Sequence, residues 1–178
     1  MSDSKAVPEN GAAFLFTARR HRDILHYKGM PLYRHTQIGW VMLVSLGGAM
    51  LFLAALAARM TGHPVFMARV VLAILLVSLL LFANLTVIVD DESIHLRFGI
   101  GLIRKTFQLA DVKSAQPVRN SWLYGWGIHY GPGGWLYNVS GFGAVELQMR
   151  NGSHCRIGTD EPEKLCEAIQ NRLAGRRA

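Results

Sequence analysis

At 178 residues the chain has room for one compact domain, or for a smaller domain with an appendage. Its apolar share of 51% is concentrated in a single block between Ile38 and Val89, and much of the excess of 19 Lys and Arg over 12 Asp and Glu flanks that block. A nucleic-acid partner would require a basic stripe on the folded part, and charge is nearly balanced from Asp90 onward, so that class is excluded.

In chain order, residues 1–11 are polar and read as disordered. Residues 13–27 interleave Phe14, Leu15, Phe16, Ile24 and Leu25 with Arg19, Arg20 and Arg22. The pattern suits an interfacial helix whose cations meet anionic headgroups, and equally a juxtamembrane tail that obeys the positive-inside rule. With Lys28 and Arg34 these arginines form a membrane-surface basic cluster. Residues 1–37 are read as a basic tail, in which Gly29, Met30 and Pro31 break any helix before the first apolar run.

Residues 38–82 read as a two-helix transmembrane hairpin. The run 38–58 has no charged residue and reaches about 30 Å as a helix, the thickness of a hydrocarbon core; the run 65–82 has only Arg69. Trp40, Arg59 and Arg69 read as interfacial anchors, the indole at headgroup level and the guanidiniums snorkelling outward. Ser45 and Ala49, with Gly47 and Gly48 between them, have a spacing that lets helices approach closely. Basic residues before the first run, and Arg97, Arg104 and Lys105 after the second, place both termini on the cytoplasmic side. The first apolar run starts too far from Met1 for a signal peptide.

After Phe82 the apolar pattern changes to period two, which marks a β domain over residues 85–175. Leu85, Val87 and Val89 make one strand, Ile94, Leu96 and Phe98 a second, and residues 103–109 a third in which Lys105 falls on the apolar face at a rim. A weaker strand over 113–119, one over 135–139 and a final hairpin complete seven. In that hairpin Val145, Leu147 and Met149 alternate inward, and Asn151-Gly152 suits a type I′ turn. A helix over 161–173 buries Leu165, Cys166, Ile169 and Leu173, with Asp160 and Glu163 as its capping box.

Cys155 and Cys166 lie on inward faces and read as buried thiols, since a cytoplasmic domain does not keep a lasting disulfide. The histidines lack metal-ligand spacing, and neither a nucleophile elbow nor a phosphate-binding glycine loop is present, so no catalytic residue, cofactor or metal is expected. The concentrated chemical feature is Trp122, Tyr124, Trp126, Tyr130, Trp135 and Tyr137, set among Gly125, Gly127, Gly131, Gly133 and Gly134. Aromatics on a glycine-rich loop suit a membrane interface or a protein contact; they equally suit closure of the end of a small barrel.

The run Gly125-Trp126-Gly127-Ile128, then Gly134-Trp135-Leu136-Tyr137-Asn138-Val139-Ser140-Gly141, Ala144-Val145-Glu146-Leu147 and Arg156-Ile157-Gly158-Thr159-Asp160-Glu161-Pro162 resembles the small bacterial membrane proteins with a pleckstrin-homology-like (PH-like) domain. The resemblance implies a seven-stranded PH-like barrel capped by a C-terminal helix, held at the bacterial inner membrane. Phosphoinositide-binding members carry basic residues at the first hairpin loop, where this chain has Asp90, Asp91 and Glu92.

The sequence therefore reads as a non-enzymatic, membrane-anchored interaction module, a scaffold or accessory subunit. Its partners would be membrane lipid and a protein, either a second copy or a larger membrane complex. The alternative is a sensor of anionic membrane that uses the basic tail and the aromatic loop. A transporter or pore would need hairpins from several copies.

Overall fold

The computed structural model describes residues 31–59, 61–131 and 133–176. The expectations for residues 1–30, including the helix over 13–27 and the cations Arg19, Arg20, Arg22 and Lys28, lie outside the described residues. Pro31–Ala178 forms one unit.

The first element is a strand that the sequence pattern does not announce, β1 (Tyr33–Ile38). Next come two apolar helices, α1 (Trp40–Ala57) and α2 (His63–Phe82), at lengths of about 27 and 30 Å. Both are long and apolar enough to cross a membrane. No residue of α1 is buried, and in α2 only Ala68 is, so much of the apolar surface of the pair stays exposed. Pro64 starts α2, where its missing N–H is not needed. Added methyl groups on Gly47 and Gly48 would meet nothing within 4 Å, so these glycines lie outside the α1–α2 seam that their spacing suggested.

Seven strands of the domain come after the hairpin in the first sheet and its neighbour: β2 (Asn84–Val89), β3 (Ser93–Phe98), β4 (Ile103–Gln108), β5 (Val112–Arg119), β7 (Gly134–Asn138), β8 (Gly143–Met149) and β9 (His154–Gly158). The aromatic-glycine loop supplies one more, β6 (Gly127–Gly131). One sheet has the order β1-β2-β3-β4, the other β5-β8-β9-β7-β6, and neither closes on itself. The expected seven-stranded barrel is thus replaced by two open sheets containing nine strands among the described residues. All pairings are antiparallel except β7 with β9.

The inward residues of both sheets meet in one core. Leu85, Val89, Ile94, Leu96 and Phe98 from the first pack with Val145, Leu147 and Ile157 from the second, all of them fully buried. Each such side chain contributes about 1.5–3 kcal/mol by leaving water. Phe98 and Tyr137 join the two layers with ring centroids 6.5 Å apart. The terminal helix α3 (Pro162–Gly175) covers the core with Leu165, Cys166, Ile169 and Leu173, as its 3.6-residue period requires.

Two local expectations are corrected. The α3 N-cap residue is Glu161 and makes no side-chain cap bond; Asp160 is instead paired with His35 Nε2 at 2.5 Å across the fold, which removes it from the capping box. In the last hairpin only Gly152, at φ +83°, has positive φ, so Asn151-Gly152 is not type I′. The Gly152 N–H donates to the Met149 carbonyl and the Met149 N–H to the Ser153 carbonyl, which makes a longer turn with its left-handed position at the glycine.

Candidate interaction groove

Because neither sheet closes, β4 leaves one free edge on the first sheet and β6 one on the second. Between them runs an open groove of about 910 Å³, lined by β4 along its whole length and by residues of β6, β7 and β9. Its aromatic wall is Phe107, Tyr130 and Trp135, with the buried Tyr137 beneath them. Tyr130 and Trp135 meet edge to face at 5.8 Å, Trp135 stacks on Tyr137 at 6.4 Å, and Phe107 meets Tyr137 edge to face at 5.7 Å. Such a chain of rings offers a rigid apolar surface at low entropic cost.

The groove is not purely apolar. Lys105, expected at a sheet rim, is exposed in it with Nζ 5.6 Å from the centre of the Phe107 ring. Arg104 lines it while its Nε donates to the Gly101 carbonyl at 2.6 Å. His154 and Asp111 stand at its sides. Cys155 is at its floor, buried, and burial pushes the thiol up to about 12, with Glu146 adding to the rise and Lys105 opposing it. Tyr137 is also raised by burial. Both cysteines are free, as expected of buried thiols.

Behind the groove, Arg156 Nε donates to Glu146 Oε2 at 2.7 Å, and Gln116 donates to the other carboxylate oxygen at 3.2 Å. Burial works against the charged carboxylate, but these bonds outweigh it and hold Glu146 below its ordinary range. The pair fixes β8 to β9 and so holds the groove floor.

The six aromatic residues singled out from sequence do not form one surface. Tyr130 and Trp135 are exposed in the groove, whereas Tyr137 is buried in the core beneath them. Trp122 is exposed in a short 3₁₀ turn, Trp122–Tyr124. Trp126 is partly buried against Phe142 and donates its indole N–H to the Gly141 carbonyl at 3.1 Å. The Arg156 guanidinium sits 5.8 Å from the Tyr124 ring. Of the anchors, Trp40 is exposed at the first residue of α1, Arg59 is exposed just past its end, and Arg69 is exposed on α2. Arg34 lies exposed on β1, paired in register with Ile88. Lys105, Phe107 and Ile128 were not among the candidate site residues read from sequence, which placed Lys105 only at the rim of a sheet.

Among the described residues no group of three or more His, Cys, Asp or Glu is placed to hold a metal ion. Comparison with family models, with curated proteins and with solved structures gives no match.

Proposed function

We propose that the protein is a membrane-anchored, PH-like interaction module that holds an extended segment of a protein partner at the cytoplasmic face of a bacterial inner membrane. The hairpin is its anchor, since two helices with almost no buried side chain need a lipid environment. Support for a PH-like ancestry is the C-terminal helix laid over a core between two mainly antiparallel sheets.

The observation that carries the reading is the groove between the free edges of β4 and β6. An extended peptide can hydrogen-bond to an exposed strand edge while its side chains enter flanking pockets. Here the aromatic wall suits an apolar residue and Lys105 suits an acidic one. A photo-crosslinking residue at Trp135, used in native membranes, is expected to give one discrete protein adduct that Lys105→Glu diminishes. A synthetic peptide of the crosslinked segment should then slow amide exchange in β4. Adducts no different from those of a probe at Glu167, exposed on α3 away from the groove, would defeat the proposal, and an adduct with a second copy would make the partner the chain itself.

The second reading, a sensor of anionic membrane, is favoured by one observation, the exposure of Trp122 at the hairpin end of the domain. Retention of the full protein's membrane orientation and loop accessibility irrespective of anionic lipid content would count against it.

A further inference from the structure

The hairpin end of the domain carries apolar side chains on two loops where a turn would ordinarily be polar. In the turn between β3 and β4, Ile100 and Leu102 are 62% and 74% exposed; beside β6, Trp122 and Leu123 are 70% and 73% exposed. Four large apolar side chains so exposed on a single end of a small domain mark an interaction surface.

The β3–β4 loop is bonded to α2, and the segments beside the Trp122–Leu123 loop approach the start of α1. On the α2 side, the Ile100 N–H donates to the Leu80 carbonyl at 3.2 Å and the Gly99 N–H to the Asn84 carbonyl at 2.9 Å. Gly99 has φ +48° and presses so closely on the Leu80 and Leu81 carbonyls that no side chain fits. On the α1 side, the Gln37 amide donates to the Ser140 carbonyl at 2.9 Å, and Gly127 lies next to the Met42 methyl group. Leu80 is in the last turn of α2 and Met42 in the first turn of α1, so the loops flank the hairpin at the level of its helix ends.

Cations stand just behind the tip of the β3–β4 loop. Gly101 is bracketed by the guanidiniums of Arg97 and Arg104, which an added methyl would approach to 3.1 and 3.8 Å. The opposite end of the domain has Asp90, Asp91 and Glu92 in its turn instead.

We propose that these two loops enter the bilayer interface and seat the domain on the lipid surface, with Ile100, Leu102, Trp122 and Leu123 in the acyl boundary and Arg97 and Arg104 at the phosphates. Apolar tips with a basic collar are the composition of interfacial segments. The occupant is lipid because the loops abut two long, predominantly apolar helices that bury almost none of their residues, and whatever surrounds those helix ends meets the loops as well. The proposal rests on the membrane-spanning reading of the hairpin.

The test uses the full chain in nanodiscs of mixed zwitterionic and anionic lipid, with nitroxide labels on single cysteines introduced at Leu102, Leu123, Leu51 and Asn151, all in a Cys155→Ser, Cys166→Ala background checked for folding. Collision with oxygen, which concentrates in lipid, is compared with collision with a water-soluble nickel chelate. The labels at 102, 123 and 51 are expected to favour oxygen, and that at 151 the chelate. Labels at 102 and 123 that favour the chelate while 51 favours oxygen overturn the seat and leave the spanning hairpin standing. Protection of 102 and 123 from both reagents overturns it in favour of a protein contact. A label at 51 that favours the chelate overturns the spanning reading and the seat with it.

Discussion

The Gly39 N–H donates to the Ala83 carbonyl at 2.8 Å, so the residue entering the hairpin and the residue leaving it are hydrogen-bonded neighbours. β1 runs into α1 and α2 runs into β2 with no slack between them, and the β1–β2 pairing continues up to Ile38 and Asn84. The hairpin is therefore an insertion between two paired strands, and its direction is coupled to the sheet.

That junction has no room for a side chain at residue 39. An added Cβ would lie 2.8 Å from the Phe82 oxygen and 3.0 Å from the Ala83 oxygen, both backbone atoms that cannot swing away. Gly39→Ala is expected to destabilise by about 1–3 kcal/mol. Gly48→Ala, in open space within α1, is expected to be neutral or to stabilise by up to about 1 kcal/mol. Thermal unfolding of the detergent-solubilised variants separates the two, and equal melting temperatures would show that the junction tolerates a side chain.

Tyr130 and Tyr137 occupy one sheet seven residues apart but differ in role, the first being 73% exposed and the second 7%. Tyr137→Ala removes a ring that touches Phe98, Phe107 and Trp135 and should cost about 3–5 kcal/mol. Tyr130→Ala should change stability by less than about 1 kcal/mol while weakening the crosslink from the groove. Denaturant unfolding of both variants gives the comparison, and a large loss of stability in Tyr130→Ala would make that ring structural.

The sequence made the strands β2, β3 and β8 legible because each buries one face and alternates at period two, as in Leu85, Val87, Val89 and Ile94, Leu96, Phe98. The apolar stripe of α3 was legible for the same reason at period 3.6. β1 was not, because its inward residues are Tyr33, His35 and Gln37, which carry no apolar signal, and its partner lies beyond the whole hairpin. β6 was hidden by its glycines. The groove could not be foreseen either, since it arises from the two sheets failing to close, a property of non-local pairings such as the parallel contact between β7 and β9. Of the aromatic set, composition identified the residues but could not separate Tyr130 and Trp135 in the groove from Tyr137 in the core.

Two carboxylates make the fold sensitive to acid. Asp90 loses hydration on burial, but the Glu92 N–H, the His95 ring and the Ser93 N–H bond it and together hold it below its ordinary value of 3.8; Glu146 is held below 4.5. A depressed folded value means that their contribution is complete above these ordinary values and is lost as pH falls through the folded ones. Stability is expected to decline below about pH 4.5, and Glu146→Gln should flatten part of that decline in denaturant midpoints taken across pH. An unchanged acid limb in Glu146→Gln would show that the Arg156 pairing does not couple to folding.

The alkaline limb is set by groups that burial keeps neutral, and Cys155 is the sharpest of these. Its thiol is pushed from 9.0 to about 12, and Tyr33 rises from 10.0 to about 12. A raised folded value leaves the protein at full stability below the unfolded value, with loss as pH climbs from about 9 toward 12. The same shift makes the thiol inert, because the thiolate is the reactive species. Iodoacetamide at pH 8 should leave Cys155 unmodified in the folded protein and alkylate it after denaturation. The residue lies at the groove floor, so an alkylation rate measured at higher pH should fall further when a peptide fills the groove. Rapid modification of the folded protein at pH 8 would mean that the floor opens to solvent, and a rate that a bound peptide leaves unchanged would place the peptide elsewhere.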